Sequence, residues 1–127
     1  MPLIVVYNLS KSDYEEWKIE KTEEAIIEAV TNIPELGLKA EKISFTFPQD
    51  PTITTDEIPV IIIVELLFDE PKITHEIRQR LAKEIAKHFT TAVIGWKKLT
   101  KITVAVKQFD REKDGYYSEE AEKIPIE

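Results

Sequence analysis

Pro2 is the residue of this 127-residue sequence with the most distinctive chemical potential. If Met1 is removed, Pro2 becomes a terminal secondary amine, and terminal amines ordinarily titrate with a pKa of about 7.7–8.0. Apolar neighbours disfavour the charged form and lower that pKa toward neutrality. Such an amine can take a proton from a carbon beside a carbonyl and return it to another atom. Pro2 is therefore a candidate base, although a proline at this position is also compatible with no chemical role.

Three charged side chains could complete a site around Pro2. Glu65 interrupts the apolar stretch at residues 58–68 and is a candidate for a second acid/base or for holding a protonated amine. Lys107 and Arg111 lie at and beyond the end of the last predicted strand, where they could bind a substrate carboxylate. The simpler alternatives are an ion pair at a subunit interface for Glu65 and a solvated strand end for Lys107 and Arg111.

The composition argues against other classes of site. The chain has no Cys, two His and three Gly, so we expect no thiolate chemistry, no metal site, no phosphate-binding loop and no cofactor. A net charge of −7 without a basic block argues against nucleic acid and anionic membranes as partners. Because the sequence shows neither a secretory leader nor a long apolar run, we expect a cytoplasmic protein.

Strands and helices alternate along the chain and would position the candidate residues. Apolar, β-branched strands are predicted at residues 3–9 and 60–68, and alternating strands at residues 42–47 and 101–109. Between the members of each pair lies an amphipathic stretch with helical spacing, the second opened by start signals at Pro71 and Thr74. The pattern predicts an α+β fold of two β-α-β units, with parallel strands inside each unit.

The two units indicate an internal duplication. Pro2 and Pro59 lie 57 residues apart, and each opens an apolar strand. We expect a single domain over residues 1–127, with pseudo-repeats at 2–57 and 59–109 and a polar tail at 110–127. If the two opening strands pair antiparallel about a pseudo-twofold axis, Glu65 lies near Pro2 and Asn8 lies near Pro59.

One face of the predicted sheet lacks a cover. Both helices should pack on the same face, which leaves the other face to Ile4, Val6, Ile61 and Ile63. A four-stranded sheet that is apolar on both faces needs a partner. The sequence therefore predicts a homo-oligomer.

The position of Pro2 directly after Met1, the β-α-β duplication and the chain length together resemble the tautomerase superfamily, with the nearest likeness to a bacterial branch of it. The resemblance runs from Pro2 to about Tyr117. It implies a homotrimer whose three sheets form an inner barrel, with active sites at the subunit interfaces. It also implies that Pro2 is the base of a cofactor-independent tautomerase or isomerase acting on a small 2-oxo or 2-hydroxy-dienoate acid.

The sequence departs from the superfamily's cytokine-like branch at three positions. Ile33 stands where that branch carries a lysine, and Ile102 and Val104 stand where it carries polar residues early on the last strand. The alternative function is therefore a non-catalytic trimer of the same fold, which serves as a binding or assembly module.

Overall fold

The computed structural model describes residues 2–8, 16–48, 58–66, 73–94, 99–110 and 112–115. The elements in chain order are β1 (Pro2–Tyr7), α1 (Glu16–Thr31), β2 (Ser44–Thr46), β3 (Ile58–Leu66), α2 (His75–Ala92) and β4 (Leu99–Gln108). Two short 3-10 helices, Pro34–Leu36 and Ala40–Lys42, lie between α1 and β2. The predicted α+β class is confirmed. Within the described ranges, no helix is long and apolar enough to cross a membrane.

The four strands form one mixed sheet in the order β2-β1-β3-β4. The outer pairs, β1 with β2 and β3 with β4, are parallel, and a helix lies between the two strands of each pair in the chain. The central pair, β1 with β3, is antiparallel. The two β-α-β units are as predicted, and the antiparallel pairing of their opening strands meets the condition under which Glu65 was placed near Pro2.

Local signals set the ends of the helices. α2 begins after Thr74, whose hydroxyl accepts a hydrogen bond from the Ile77 amide at 3.3 Å. After α1, the turn at Pro34–Leu36 ends at Gly37, whose φ of 59° suits glycine. Arg80 of α2 forms an ion pair with Glu35 in that turn. Hydrogen bonds from the backbone and from Arg80 lower the pKa of the Glu35 carboxyl.

Both helices pack on one face of the sheet, as predicted. They form a single core with the even-numbered residues of the two central strands. Its fully buried members include Ile4, Val6, Ile26, Val30, Val60, Ile62, Val64, Leu66, Leu81, Ile85 and Phe89. Burial against both helices therefore holds the central strand pair, and with it the start of β1.

The prediction for the uncovered face was wrong for Ile4 and Val6, which are 0% exposed in the core beneath the helices. Ile4 pairs with Val64 and Val6 pairs with Ile62, so residues of β1 and β3 on one face are all even-numbered or all odd-numbered. The 57-residue offset between the repeats matches even-numbered positions of β1 with odd-numbered positions of β3. An error of one residue in this offset places the side chains on the opposite face of the sheet.

The uncovered face carries the odd-numbered residues of the central strands, as predicted for Ile61 and Ile63. We call the following set the open face: Leu3, Val5, Tyr7, Ile61, Ile63 and Ala105. Tyr7 is 39% exposed and Ile61 is 36% exposed. A contiguous apolar surface of this kind is typical of an interaction site.

Candidate functional site

Pro2 is buried at the first position of β1, one of the two central strands. Its partner in the antiparallel register is Leu66, and the next pair joins Leu3 to Glu65. The structure therefore places Glu65 one register position from Pro2, at the end of the neighbouring strand. The fully buried positions Ile4 and Val64 follow directly and anchor this corner of the sheet.

Lys107 lies beside Glu65 on β4, the strand that flanks β3 on the side opposite β1. The two residues are register partners on the parallel strands β3 and β4. Glu65 is half-buried, whereas Lys107 is exposed. A carboxylate and an ammonium group thus lie at neighbouring strand ends, Glu65 one strand away from Pro2 and Lys107 two strands away.

A pocket of about 310 Å³ lies where β3 and β4 end. It is lined by Glu65, Leu66, Lys107, Gln108, Phe109 and Asp114. Its lining includes two pairs of consecutive strand residues, Glu65–Leu66 and Lys107–Gln108, and the two members of each pair belong to opposite faces of the sheet. We call this cavity the strand-end pocket. Its lining combines two carboxylates, one ammonium group and apolar surface.

The chain after β4 forms one wall of the strand-end pocket. The Phe109 amide donates to the Leu66 carbonyl at 2.8 Å, which extends the contact between β3 and β4 by one residue. The Asp110 amide donates to the Asp114 carboxylate at 3.0 Å, and the Asp114 amide donates to the Asp110 carbonyl at 2.8 Å. These paired bonds hold Asp114 at the pocket.

A second pocket of about 300 Å³ adjoins the first and shares Gln108 and Phe109 with it. Its charged residues are Arg78 and Asp110. Arg78 Nη1 donates to the Ile73 carbonyl and to Gln108 Oε1, both at 2.7 Å.

Sequence reasoning missed Arg78, Gln108 and Asp114. A signal existed for Arg78, because a cation near a helix N-terminus is disfavoured by the helix dipole and so suggests a tertiary partner. Gln108 adjoins Lys107 at the end of a predicted strand, which was a weaker signal. Asp114 reaches the pocket only through the turn after β4, and the sequence contains no sign of that approach.

The remaining candidate positions lie elsewhere. Arg111 lies outside the described residues. Ile33 is buried in the core, and Ile102 and Val104 pack against the core on the helix-covered side. None of these three lines the strand-end pocket. At the opposite end of β1, Asn8 Nδ2 donates to the Pro59 carbonyl at 2.7 Å, so the predicted proximity of Asn8 to Pro59 is confirmed.

The helix layer carries a separate group of charged residues. His88 of α2 lies 3.9 Å from a Glu28 carboxylate oxygen and 3.5 Å from one of Glu84. These residues border or adjoin a shallow groove between α1 and α2, away from Pro2. Among the described residues, no group of three or more His, Cys, Asp or Glu side chains is suited to hold a metal ion.

No protein-family model and no curated protein matches this sequence. Solved structures do match. FG41 malonate semialdehyde decarboxylase, inhibited by 3-bromopropiolate, is 16% identical with a TM-score of 0.60, and the match covers 97% of this chain and 99% of that one.

Two further structures extend this likeness. A fused 4-OT, an asymmetric trimer, is 13% identical with a TM-score of 0.62, over 94% of this chain and 96% of that one. A 5-carboxymethyl-2-hydroxymuconate delta-isomerase is 9% identical with a TM-score of 0.62, over 93% and 89% of the two chains. The chain therefore has the tautomerase fold over nearly its whole length, as the sequence resemblance indicated.

Proposed function

We propose that this chain is a cofactor-independent tautomerase or isomerase of the cytoplasm, acting on a small 2-oxo or 2-hydroxy-dienoate acid. The observation that carries the proposal is the position of Pro2. It begins the strand that pairs with Leu66, a lining residue of the strand-end pocket, and the same pocket contains Glu65 and Lys107.

Pro2 is the base in this proposal. After removal of Met1, its secondary amine lies in a buried position, and burial favours the neutral form of an amine at neutral pH. The neutral amine takes a proton from the carbon beside the substrate carbonyl. The electron pair of the broken C–H bond moves toward the carbonyl oxygen. The protonated amine then returns the proton to another atom of the substrate, so the reaction needs no net acid, base or cofactor.

Charged residues assist at two points. Lys107 binds the substrate carboxylate, and Arg111 provides a second cation from the segment after β4. Glu65 stabilises the protonated Pro2 amine between the two proton transfers, because an opposite charge nearby favours the charged form. The register supports this division of roles, since Glu65 lies between the positions of Pro2 and Lys107 in the sheet.

The open face supports a homotrimer as the working assembly. Tyr7 and Ile61 are large hydrophobic side chains with more than a third of their surface exposed. They lie on the two central strands, opposite the helix layer. A fused 4-OT of the same fold is a trimer. A second and third copy of this chain would bury the open face and enclose the pockets near the subunit boundaries.

A second candidate function is a non-catalytic trimer that serves as a binding or assembly module. The observation that favours it is the burial of Ile33, which is 2% exposed and belongs to the core. A side chain in that position contributes nothing to substrate binding. The open face would still drive assembly in this case.

Chemical labelling tests the proposal directly. Met1-processed protein should tautomerise phenylpyruvate or 2-hydroxymuconate, and 3-bromopropiolate should add one label at the Pro2 nitrogen, located by peptide mass spectrometry. Protein that retains Met1 is the matched control, because its Pro2 nitrogen is an amide. Labelling at Lys107 with Pro2 unmodified, or no turnover by processed protein, would contradict the proposed mechanism.

A further inference from the structure

Arg78, in the second pocket, is held by one nitrogen of its guanidinium group. Nη1 donates to the carbonyl of Ile73 and to the side-chain oxygen of Gln108, both at 2.7 Å. Both bonds are partly buried, so they fix the guanidinium group between the start of α2 and the end of β4. Nε and Nη2 have no hydrogen-bond or ion-pair partner among the residues that the structure describes. These two atoms are a pair of parallel donors, which a carboxylate can accept together.

Asp110 is the other charged residue of the second pocket, and one of its carboxylate oxygens is fixed. Oδ1 accepts a hydrogen bond from the Glu112 amide at 2.9 Å. The backbone amide of Asp110 donates to the Asp114 carboxylate at 3.0 Å, which anchors the residue in the turn after β4. Within the described part of the chain, no group donates to Oδ2. This oxygen can therefore accept a hydrogen bond from a bound molecule.

The two opposite charges share a small pocket without pairing with each other. Arg78 and Asp110 both line the second pocket of about 300 Å³, but they do not form an ion pair. Both residues are half-buried. A charge that is partly removed from water is costly unless another charge or a hydrogen bond compensates it. One molecule that carries a negative and a positive group would compensate both residues at once.

We propose that the second pocket binds a small zwitterion, and that this ligand is an α-amino acid. Its carboxylate accepts hydrogen bonds from Nε and Nη2 of Arg78, and its ammonium group donates to Oδ2 of Asp110. Phe109 also lines the pocket and offers apolar surface to the side chain of the ligand. This site lies outside the proposed function, because it uses neither Pro2 nor Lys107 and its ligand is not the substrate.

The pair of charges distinguishes a zwitterion from simpler ligands. A monocarboxylate would gain Arg78 but bring its charge near Asp110, and an amine would gain Asp110 but bring its charge near Arg78. In an α-amino acid, one carbon carries both charged groups. A volume of about 300 Å³ is at the lower end of the range for ligand pockets, which suits a molecule of this size.

L-Leucine and two of its analogues provide the test. 4-Methylpentanoate lacks the ammonium group of leucine, and 3-methylbutylamine lacks the carboxylate. Each analogue loses a hydrogen bond between charged groups, so L-leucine should bind about tenfold more tightly than either in titrations followed by protein NMR. Protein that retains Met1 should bind L-leucine as tightly as processed protein does. No binding of L-leucine, or equal binding of all three ligands, would overturn the proposal.

Asp110→Asn tests the residue that binds the ammonium group. Asparagine keeps the shape of the side chain and an oxygen that can accept from the Glu112 amide, but it has no charge. The variant should bind L-leucine about tenfold more weakly and no longer prefer it to 4-methylpentanoate. Glu112→Gln is the matched control, because it changes the net charge equally at an exposed position in the same turn. Equal effects of the two substitutions would contradict a specific contact with Asp110.

Arg78→Lys tests the paired donors, because lysine keeps the charge but cannot present two parallel N–H groups. It should weaken L-leucine and 4-methylpentanoate by the same factor and leave the binding of 3-methylbutylamine unchanged. Unchanged binding of L-leucine by this variant would overturn the role of Arg78. If this variant does not fold, the comparison of Asp110→Asn with Glu112→Gln still decides the proposal.

Competition with phenylpyruvate separates this site from the proposed substrate site. Saturating phenylpyruvate should leave L-leucine bound, because the acid occupies the strand-end pocket. Competitive displacement of L-leucine would place both ligands in one site and overturn the proposal of a separate amino-acid site. Absence of phenylpyruvate turnover would contradict the proposed function, but it would not affect the binding of L-leucine.

Discussion

The two ends of the central strand pair differ, although each end contains a proline that opens a strand. At one end, Pro2 opposes Leu66, and the adjoining strand-end pocket contains Glu65 and Lys107. At the other end, Asn8 has a φ of 70° and its side chain donates to the carbonyl of Pro59. The first end presents charged groups to a pocket, and the second end is closed by a hydrogen bond within the chain.

The difference shows why a sequence duplication does not produce two equivalent sites. Pro59 lies inside the chain, so its nitrogen is always a tertiary amide without basic character. Pro2 becomes an amine when Met1 is removed. Pro2 is also buried, whereas Pro59 is exposed. A base is available at one end only, and the polar side chain at the other end has a structural role.

Replacement of the two prolines tests this contrast most strongly. Pro2→Ala in processed protein replaces the positioned secondary amine with a primary amine, and we expect the tautomerisation rate to fall roughly 10²–10⁴-fold. Pro59→Ala is the matched control and should leave the rate unchanged. Steady-state kinetics with phenylpyruvate provide the measurement. Equal losses in the two variants would mean that strand geometry, and not the amine, determines the rate.

The open face lies between the two ends and should control assembly. Ile63→Asp places a charge among apolar residues of the proposed trimer interface, at a cost on the order of several kcal/mol. Light scattering should show dissociation of the trimer. Ile94→Asp is the control, because Ile94 is 85% exposed beyond the end of α2. A wild-type protein that stays monomeric at micromolar concentration would refute both the interface and a site shared between subunits.

Glu65 should affect the pH dependence of the reaction. A carboxylate near Pro2 favours the protonated amine, so Glu65→Gln should lower the pKa of that amine. The rising limb of the pH–rate profile should then move to lower pH by roughly one unit. Glu112→Gln, at an exposed position in the turn after β4, is the control and should leave the profile in place. An unmoved profile in Glu65→Gln would assign Glu65 to an interface ion pair.

Asn8 should affect stability without affecting the reaction. Asn8→Ala loses the hydrogen bond to Pro59 and places alanine at a positive φ, which together cost about 1–2 kcal/mol of unfolding free energy. Asn8→Gly loses the bond but tolerates this backbone conformation, so its loss should be smaller. Urea denaturation measures both values. A large fall in the turnover rate of either folded variant would contradict the proposed division between the two ends.

Hydrophobic periodicity predicted most of the fold. The α+β class and the parallel pairs follow from apolar strands that enclose amphipathic helices. The antiparallel contact of β1 with β3 entered the sequence argument only as a condition, and the strand register meets it. The faces of Ile4 and Val6 were assigned incorrectly because a repeat offset can be wrong by one residue without any visible change in the pattern. Strand pairing resolves this, since the register requires Ile4 and Val64 to share a face.

The candidate site was less accessible from the sequence. The interruption of an apolar strand at Glu65 and the antiparallel pairing of the opening strands were sufficient to predict that Glu65 lies near Pro2. Arg78 and Gln108 are 30 residues apart and belong to different elements, so their contact depends on how α2 meets the end of β4. Asp114 depends on hydrogen bonds inside a turn. Contacts of this kind leave no periodic signal.

The pH–rate profile of phenylpyruvate tautomerisation tests the central claim most directly when processed protein is compared with protein that retains Met1. Expression with methionine aminopeptidase inhibited supplies the second form, and intact mass identifies each. Processed protein should show a rate that rises with an apparent pKa below the usual range of about 7.7–8.0, and Met1-retained protein should be inactive. Equal activity of both forms would remove Pro2 from the mechanism, and inactivity of both would favour the binding module.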